Sequence, residues 1–526
     1  MFKFDDSAQT RKLSFGVKQL IATLLLSLCL ASAGSARAAT YSVSPSGSNG
    51  NPGTSAQPWL TIQKAANTMV AGDTTIVEPG YYPEKVVSMV NGTAANPITF
   101  LAQAGVTNDG FDMLKNYNVA NGFSITKDEI PVYEPGPGGT YVGFVIRLVG
   151  IGNVLENFQL GNIASTNGIA STNNYNFYNL AVGGAFNVVS NGNLFNVNAT
   201  VVNMGGFSNV VENCLINVTF GNDCFHMANG TNNAIRCCVV SNVVMVGSSQ
   251  SGVHTDFVQM SGSYGANNQG TLIERNIVYP GAIQVCNMDS AAPYSVGNTT
   301  FRNNIFFGSA LHASIWTPNT AFYNNAFILC GMNFSEELYF ISGDPKNGTP
   351  YNCSVFNNLF IECGSWSSQP TSGFYTNPGS SPSTNNFRAD YNYASGFGWQ
   401  PKYTYLADAN VGDNVLIGIH DISGGNPGFA NFPYTNTSIL TCVDPNCAAG
   451  SSPVLISTNY NFDLHLLASS ILRNAGTNLS AIFTNDFAGN ARPATGAWSI
   501  GPFQFTESAV ISPPSNLRIV AVAGVP

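Results

Sequence analysis

Three histidines lie within one stretch of the sequence, and each could take part in proton transfer; they are His226, His254 and His312. His254 and Asp256 are two residues apart, so on a β-strand their side chains point to the same side. A carboxylate next to an imidazole can orient the ring or raise its pKa, which prepares the ring as a general acid or base. We therefore expect proton-transfer chemistry in this stretch.

The surroundings of these histidines repeat along the chain. The segment Asp223-Cys-Phe-His226-Met aligns with Asp256-Phe-Val-Gln259-Met and with Gln284-Val-Cys-Asn287-Met, at offsets of 33 and 28 residues. If the three segments stack as successive coils, their polar side chains form a groove, and a further step of 28 residues leads to His312. The predicted catalytic residues are His254, Asp256, His226 and Asp223. The predicted substrate-binding residues are Gln259, Gln284, Asn287, His312 and Arg275.

Each predicted role has a simpler alternative. In the functional interpretation His254 transfers the proton, Asp256 orients it or binds a metal, and Gln259 donates a hydrogen bond to the substrate. In the alternative, the same polar side chains form a hydrogen-bonded ladder at a turn, with no substrate. Calcium could bind Asp223, Asp256 or Asp289, although these separated aspartates are a weaker signal than a consecutive acidic motif. The cofactor therefore stays open, and the cysteine spacing gives no support for a structural zinc site.

A repeat in the middle of the chain indicates the elements that position these residues. Each copy is a short segment rich in β-branched and aromatic residues, bounded by Asn, Gly and Ser, and the spacing of successive copies is never below 21 residues. The copies are VVENCLI (210–216), AIRCCVV (234–240), LIERNIV (272–278), TFRNNIF (300–306), AFYNNAF (321–327), SVFNNLF (354–360), NFRADYN (386–392) and a probable eighth, VLENFQL (154–160). Short strands at this spacing, without helices between them, are typical of a parallel β-helix.

Two positions of the repeat predict stacked ladders. The fifth position reads Phe158, Cys214, Cys238, Asn276, Asn304, Asn325, Asn358 and Asp390. Inward asparagines in such a column can hydrogen-bond from coil to coil. The third position reads Glu156, Glu212, Arg236, Glu274, Arg302, Tyr323, Phe356 and Arg388. Its alternating charges indicate ion pairs on an outer face rather than catalytic arginines. The stacked pairs Cys214–Cys238 and Cys330–Cys363 could be disulfides or reduced thiols, and Cys442 with Cys447 could close a loop.

Composition excludes some classes of protein. Only 9% of the 526 residues are charged and the formal net charge is -9, so there is no cationic stripe for a nucleic acid. Residues 1–38 have basic residues, a short apolar run and a small-x-small site, as in a secretory signal peptide. We therefore expect a bacterial protein that is secreted or held at the cell envelope, with no transmembrane segment. The sequence does not predict the oligomeric state.

The two ends of the predicted solenoid resemble known proteins. The segment 41–86, with Pro58-Trp59, Thr61-Ile62-Gln63-Lys64-Ala65 and Ala71-Gly72-Asp73-Thr74, resembles the opening of secreted right-handed parallel β-helix proteins. That group includes lyases of the chondroitinase B, alginate lyase and pectate lyase 9 kinds. Segments 461–476 and 485–506, with the lead-in Asn426-Pro427-Gly428-Phe429, resemble the closing segment of bacterial β-helix proteins, which implies a structural role for His465.

These observations predict an all-β fold, a right-handed parallel β-helix of the pectin-lyase-like kind with an N-terminal cap. The expected organisation is a signal peptide (1–38), a β-helix (39–505) and a tail or linker (506–526). Within the β-helix we expect a cap and first coil (39–100), central coils (146–400) and a closing region (401–505).

The resemblance implies a polysaccharide partner and a lyase or glycoside hydrolase activity. The alternative is a non-catalytic extracellular or envelope protein that binds glycans or serves as a structural or adhesive rod. The histidine cluster favours the enzyme, whereas the absence of any lysine between Lys127 and Lys346 favours the rod.

Overall fold

The structure is a computed structural model that describes most of the chain from residue 38 to residue 506. The described residues are 38–125, 134–135, 141–163, 177–198, 200–220, 223–244, 256–261, 267–279, 284–289, 295–307, 313–315, 317–328, 352–361, 388–395, 418–432, 440–441, 454–455 and 462–506. The predicted signal peptide and the predicted tail lie outside these residues, apart from residues 38 and 506 themselves.

Parallel strands wind into coils with three faces, which we call sheets 1, 2 and 3. Sheet 1 consists of Thr40–Val43, Thr74–Val77, Ile98–Ala102, Asn118–Asn121, Val154–Glu156, Val188–Ser190, Val210–Glu212, Ala234–Arg236, Leu272–Glu274, Thr300–Arg302, Ala321–Tyr323, Ser354–Phe356 and Arg388–Asp390. Sheet 2 consists of Gly80–Val87, Val106–Met113, Tyr141–Leu148, Phe177–Val182, Thr200–Phe207, Phe225–Thr231, Asp256–Ser261, Asn268–Gln269, Gln284–Asp289, Val296–Gly297 and Ala313–Ile315, with Glu134–Pro135 antiparallel at one strand. Sheet 3 consists of Ser124–Ile125, Gln159–Ile163, Asn193–Asn198, Leu215–Phe220, Val239–Val244, Ile277–Val278, Ile305–Phe307, Ala326–Ile328, Leu359–Ile361, Tyr393–Ser395 and Ile422–Ser423.

The N-terminal end of the coils is closed by a helix, Ile62–Thr68, whose residues Ile62, Ala65 and Ala66 are buried. The Thr61 hydroxyl accepts a hydrogen bond from the Lys64 N–H and so caps the helix. The Glu84 carboxylate accepts two further N–H groups at the helix start. Together with the parallel sheets, this helix confirms the predicted right-handed β-helix with an N-terminal cap.

The asparagine ladder is confirmed, and it fixes the register of the coils. Asn276 donates from Nδ2 to Asn304 Oδ1 at 2.9 Å and to the Ile235 carbonyl, and its own Oδ1 accepts from the Cys238 N–H. The same bonds recur at Asn304, Asn325 and Asn358. All four are fully buried. Because each amide uses its donors and its acceptor within the interior, the burial of so many polar groups is compensated.

The last copy of the repeat is shifted by two residues from the prediction. Phe356 pairs with Asp390, not with Arg388, and Asn358 donates to Asn392. The ladder position therefore belongs to Asn392, and the prediction for Asp390 and Arg388 was wrong. The reason is that Ala389 pairs with Val355 at the inward position of the strand, where Ala389 is 8% exposed.

Several coils were not recognised in the sequence, including two whose fifth position is neither Cys nor Asn. Residues 119–125 and 188–194 pair in register with 154–160 and carry Phe123 and Gly192 at that position. The column therefore starts with phenylalanines, continues with Gly192 and two cysteines, and ends with asparagines. Cys214 and Cys238 share this column as free, buried thiols. Cys330, Cys363, Cys442 and Cys447 lie outside the described residues.

A second ladder, which the sequence reading did not identify, stands at the start of the sheet 1 strands in the N-terminal half. Asn118, Asn153, Asn187 and Asn209 each donate a backbone N–H to the Oδ1 of the next member, which ends at Asn233. From Asn118–Asn121 onward, the residue that follows each sheet 1 strand has a positive φ, which is between 53° and 60° at Asn157, Asn191, Asn213, Asn303, Asn324 and Asn357. Asparagine tolerates this left-handed conformation better than most residues, which explains part of the high asparagine content.

The C-terminal segment, residues 462–506, packs over the outer faces of sheets 1 and 3. Leu479, Phe483 and Trp498 cluster with Tyr323 of sheet 1. A second cluster joins sheet 3 to the C-terminal segment, and its members include Ile305, Ile328, Leu359, Leu464, Leu466, Leu472 and Ile500. Phe429–Asn431 pairs antiparallel with Asp463–Leu466, and Leu440–Thr441 pairs antiparallel with Val454–Leu455. The segment therefore covers parts of two of the three faces.

The charged column on the outer face of sheet 1 forms ion pairs as predicted. Arg236 Nε lies 2.6 Å from Glu212 Oε2, and Arg302 Nη2 lies 2.6 Å from Glu274 Oε2. The column becomes aromatic at Tyr323 because the C-terminal segment covers it from there, with Tyr323 stacked against Phe483. These arginines therefore have a structural explanation.

Candidate functional site

The outer face of sheet 2 carries a column of uncharged polar side chains, one on each successive coil. Asn203 pairs with His226, His226 with Gln259, and Gln259 with Asn287. Their immediate neighbours Met204, Met227, Met260 and Met288 are fully buried in the interior. Since side chains alternate along a strand, the four polar residues point outward. We call these four residues the polar column.

His226 is held by its neighbour in the polar column. Its Nδ1 lies 3.1 Å from Asn203 Oδ1, which can only accept a hydrogen bond. The contact therefore places the proton on Nδ1 and leaves Nε2 as an acceptor. Burial lowers the pKa of His226 from 6.5 to about 4, so the ring is neutral at pH 7. A neutral imidazole with a fixed tautomer can accept a proton or a hydrogen bond from a hydroxyl group.

Asp223 and Asp256 stack as predicted, but both are buried. The Asp256 N–H donates to Asp223 Oδ1 at 3.0 Å, one coil apart. The two residues are 2% and 0% exposed. Phe257 and Val258 are consecutive and both lie in the interior core, so regular alternation does not hold next to Asp256, and burial is what describes its side chain. The carboxylates of Asp223 and Asp256 are therefore not exposed beside His226.

The other predicted site residues have different placements. Gln259 and Asn287 belong to the polar column, and the backbone of Gln284 pairs with Asp256. His254 and His312 lie outside the described residues. Ala313 pairs with Cys286, an offset of 27 residues rather than the predicted 28, so the strand after His312 does not keep the predicted register.

Arg275 is not part of the polar column. It has a φ of 59° at the corner that follows a sheet 1 strand, and its Nε donates to the Phe487 carbonyl at 2.7 Å. This carbonyl belongs to the C-terminal segment, so the contact holds that segment on the coils. The predicted role of Arg275 in substrate binding has no support from this position.

A charged cluster that the sequence analysis missed lies at the N-terminal end of the same outer column. Asp112 pairs with Arg147, Arg147 with Ala181, and Ala181 with Asn203. Lys85 Nζ lies 3.1 Å from Asp112 Oδ1, and Arg147 Nη2 lies 2.5 Å from Asp112 Oδ2. The cluster falls in coils before residue 154, where no copy of the repeat was recognised, so its register could not be read from the sequence.

The described residues do not form a recognisable metal site. Among them, no group of three or more His, Cys, Asp or Glu side chains could hold an ion. Calcium takes about six to eight oxygen ligands, and Asp223 already accepts the Asp256 N–H. The stacked pair Asp223 and Asp256 does not by itself fit such a coordination shell.

Comparisons with known proteins give similar folds at low identity. No protein-family model matches the chain, and no curated protein sequence matches it. A mannuronic acid specific polysaccharide family 6 lyase from human gut microbiota is 10% identical, covering 72% of this chain and 91% of that chain, with a TM-score of 0.48. The pectate lyase Pel9A is 15% identical, covering 90% and 98%, with a TM-score of 0.45. XylC in complex with xylose is 11% identical, covering 89% and 98%, with a TM-score of 0.39. In the described part of the chain, no helix is long and apolar enough to cross a membrane.

Proposed function

We propose that this is a carbohydrate-active protein of a bacterial cell surface or exterior, which binds a polysaccharide along the polar column and cleaves it as a lyase or glycoside hydrolase. The observation that carries the proposal is the polar column itself. It places hydrogen-bonding side chains on four successive coils. The C-terminal segment packs on the other two faces.

The spacing of the polar column suits a repeating ligand. Neighbouring strands lie about 4.8 Å apart, so each coil offers a hydrogen-bonding group at a constant interval. A polysaccharide presents hydroxyl groups at a similar regular interval, roughly one sugar unit per coil. Amide side chains both donate and accept hydrogen bonds, as hydroxyl groups do. A chain lying lengthwise could therefore contact several coils at once.

Within this function, His226 is the described residue best placed to handle a proton. Its Nδ1 contact with Asn203 fixes the ring, and Nε2 is the accepting atom. Gln259 and Asn287 bind the sugar. The roles of His254 as the proton-transfer residue and of Asp256 as its orienting partner stay predictions. They require that His254 reaches the carboxylate of Asp256, which is fully buried.

One observation favours the non-catalytic alternative, a glycan-binding or structural rod. The stacked carboxylates Asp223 and Asp256 are buried, so they do not stand beside the polar column as an exposed catalytic pair. A glycoside hydrolase ordinarily needs two carboxyl groups that flank the scissile bond. This rod would present the polar column as a binding surface only.

The deciding experiment is a polysaccharide panel that is assayed for three outcomes. Lyase activity produces unsaturated sugar ends, which absorb ultraviolet light, whereas hydrolysis produces only new reducing ends. Binding without either product supports the rod. The His226→Gln variant and the His254→Ala variant are assayed beside wild type, with Asn217→Ala as a control on the outer face of sheet 3. Loss of roughly 10²–10⁴-fold of rate in a folded variant identifies a proton-transfer residue.

A further inference from the structure

The side chains of the polar column carry no formal charge at neutral pH. Asn203, Gln259 and Asn287 end in amides, and His226 is a neutral imidazole because burial lowers its pKa to about 4. The outer face of sheet 1 is different, since it carries the pairs Glu212–Arg236 and Glu274–Arg302. The four side chains of the polar column are thus uncharged, whereas the outer face of sheet 1 carries ion pairs.

A charged cluster on the same strand register as the polar column pairs two cations, Lys85 and Arg147, with one carboxylate, Asp112, and so keeps one net positive charge. Asp112, with its carboxylate 4% exposed, contacts both Lys85 and Arg147. Lys85 also donates to the Phe144 carbonyl at 2.9 Å. Arg147 is separated from His226 by Ala181 and Asn203 in the register, so three strand spacings of about 4.8 Å lie between them. Lys85, Asp112 and Arg147 therefore form an ion-paired cluster beyond the N-terminal end of the polar column.

We propose that the ligand of the polar column is a neutral polysaccharide, a chain of uncharged sugars recognised through hydroxyl or N-acetyl groups. This proposal rests on the proposed function and names its substrate class. The amides of Asn203, Gln259 and Asn287 match hydroxyl and acetamido groups, because each can donate and accept. Gln259 is only 8% exposed, so its amide is already largely removed from water and needs a hydrogen-bonding partner.

An anionic chain would bind less well at this position. A carboxylate that leaves water for a site of neutral amides loses hydration without gaining an opposite charge. The net charge of -9 adds a repulsion that acts at longer range. A neutral chain meets neither penalty.

The substrate class also selects the reaction. Elimination requires a carbon-bound proton made acidic by an adjacent carboxylate group, which a neutral sugar does not have. Cleavage of a neutral chain is therefore hydrolysis. The oxygen of water bonds to the anomeric carbon, the bond from that carbon to the leaving oxygen breaks, the leaving oxygen takes up one proton, and the attacking water loses one.

The experiment compares binding of neutral and acidic chains by affinity electrophoresis and calorimetry at low and high salt. The neutral probes are xylan, mannan, β-glucan and chitooligosaccharides, and the acidic probes are polygalacturonate, alginate and chondroitin sulfate. We expect at least one neutral probe to bind with little dependence on salt. Gln259→Ala and Asn287→Ala should each weaken this binding by roughly 2- to 13-fold, the loss of one hydrogen bond, while Asn217→Ala leaves it unchanged. Circular dichroism and thermal melting check that each variant is folded.

The contrary outcomes separate the two proposals. Binding of acidic probes alone, weakened by salt and lost in Arg147→Gln, would overturn the neutral substrate while leaving a carbohydrate-binding function. Binding of neutral probes that is unaffected by both column variants would move the site away from the polar column. Absence of binding to any probe would contradict the proposed function itself.

Discussion

Asn392 donates both its backbone N–H and its Nδ2 to Oδ1 of Asp421, at 2.7 Å and 3.4 Å, so a carboxylate terminates the asparagine ladder. Every amide from Asn276 to Asn358 points its Nδ2 toward the next coil. The N–H end of this aligned stack therefore faces Asp421. Asn392 Nδ2 also donates to the Val355 carbonyl, and Asp421 supplies the acceptor that the next ladder asparagine would otherwise provide.

Asp421 should make stability depend on pH in the acidic range. Burial is the main cause that raises the pKa of Asp421 from 3.8 to about 6. A raised folded-state pKa means that the stabilisation is complete below pH 4 and is lost as the pH rises through 6. We expect the difference in unfolding free energy between wild type and Asp421→Asn to change between pH 4 and pH 7, with wild type relatively more stable at the acidic end. Urea unfolding across this range measures it. A constant difference would contradict the assignment.

His226 should make the stability of the fold depend on pH in the opposite direction. Burial lowers its pKa from 6.5 to about 4, so the unfolded chain takes up the proton first as the pH falls. The contribution of His226 to stability is therefore complete above pH 6.5 and is lost as the pH falls toward 4. In His226→Gln the acid-side loss should be smaller than in wild type. An NMR titration of the ring gives the pKa directly, and a value near 6.5 would refute the burial argument.

The interior asparagines should be costly to replace. In Asn325→Leu, the backbone N–H and Nδ2 of Asn304 lose their acceptor, Asn325 Oδ1. Asn358 Oδ1 and the Phe301 carbonyl lose their donor, Asn325 Nδ2. Leaving these buried groups unsatisfied should cost about 1–3 kcal/mol of unfolding free energy. Asn217→Leu, on the partly exposed outer face of sheet 3, is the matched control and should cost much less. Equal losses in the two variants would mean that the ladder contributes nothing specific.

Much of the fold was predictable because the interior asparagines can satisfy one another only in one register. The alignment of Asn276, Asn304, Asn325 and Asn358 therefore led directly to parallel coils. It failed at the last copy, 386–392, which was aligned two residues out of register. The strand pairs Ala389 with Val355, so the ladder position belongs to Asn392. The alignment also missed the coils with Phe123 and Gly192, since stacked phenylalanines have no hydrogen-bonding signature.

The candidate site was less predictable than the fold. The spacing of Asp223 and Asp256 correctly indicated stacking, but not that both residues are buried. Strand alternation could not predict their placement, because the neighbouring consecutive residues Phe257 and Val258 both lie in the core. Likewise, Tyr323 interrupts the charged column for a reason that only the packing of Phe483 reveals.

Replacing two arginines of the charged column should cost different amounts of unfolding free energy. Arg236 is 40% exposed and pairs with Glu212, whereas Arg302 is 20% exposed, pairs with Glu274 and lies over the ring of Phe483 at 5.2 Å. Arg236→Ala should cost no more than about 1 kcal/mol. Arg302→Ala should cost more, because it also loses the contact with the C-terminal segment. Chemical denaturation of both variants makes the comparison, and a larger loss in Arg236→Ala would contradict it.

The crystal structure of the protein with a bound neutral oligosaccharide tests the central claim most directly. The account predicts sugar units lengthwise along the outer face of sheet 2, with hydroxyl or acetamido groups within hydrogen-bonding distance of Gln259 and Asn287. An oligosaccharide bound on the charged face of sheet 1, or away from the coils that carry the polar column, would contradict it.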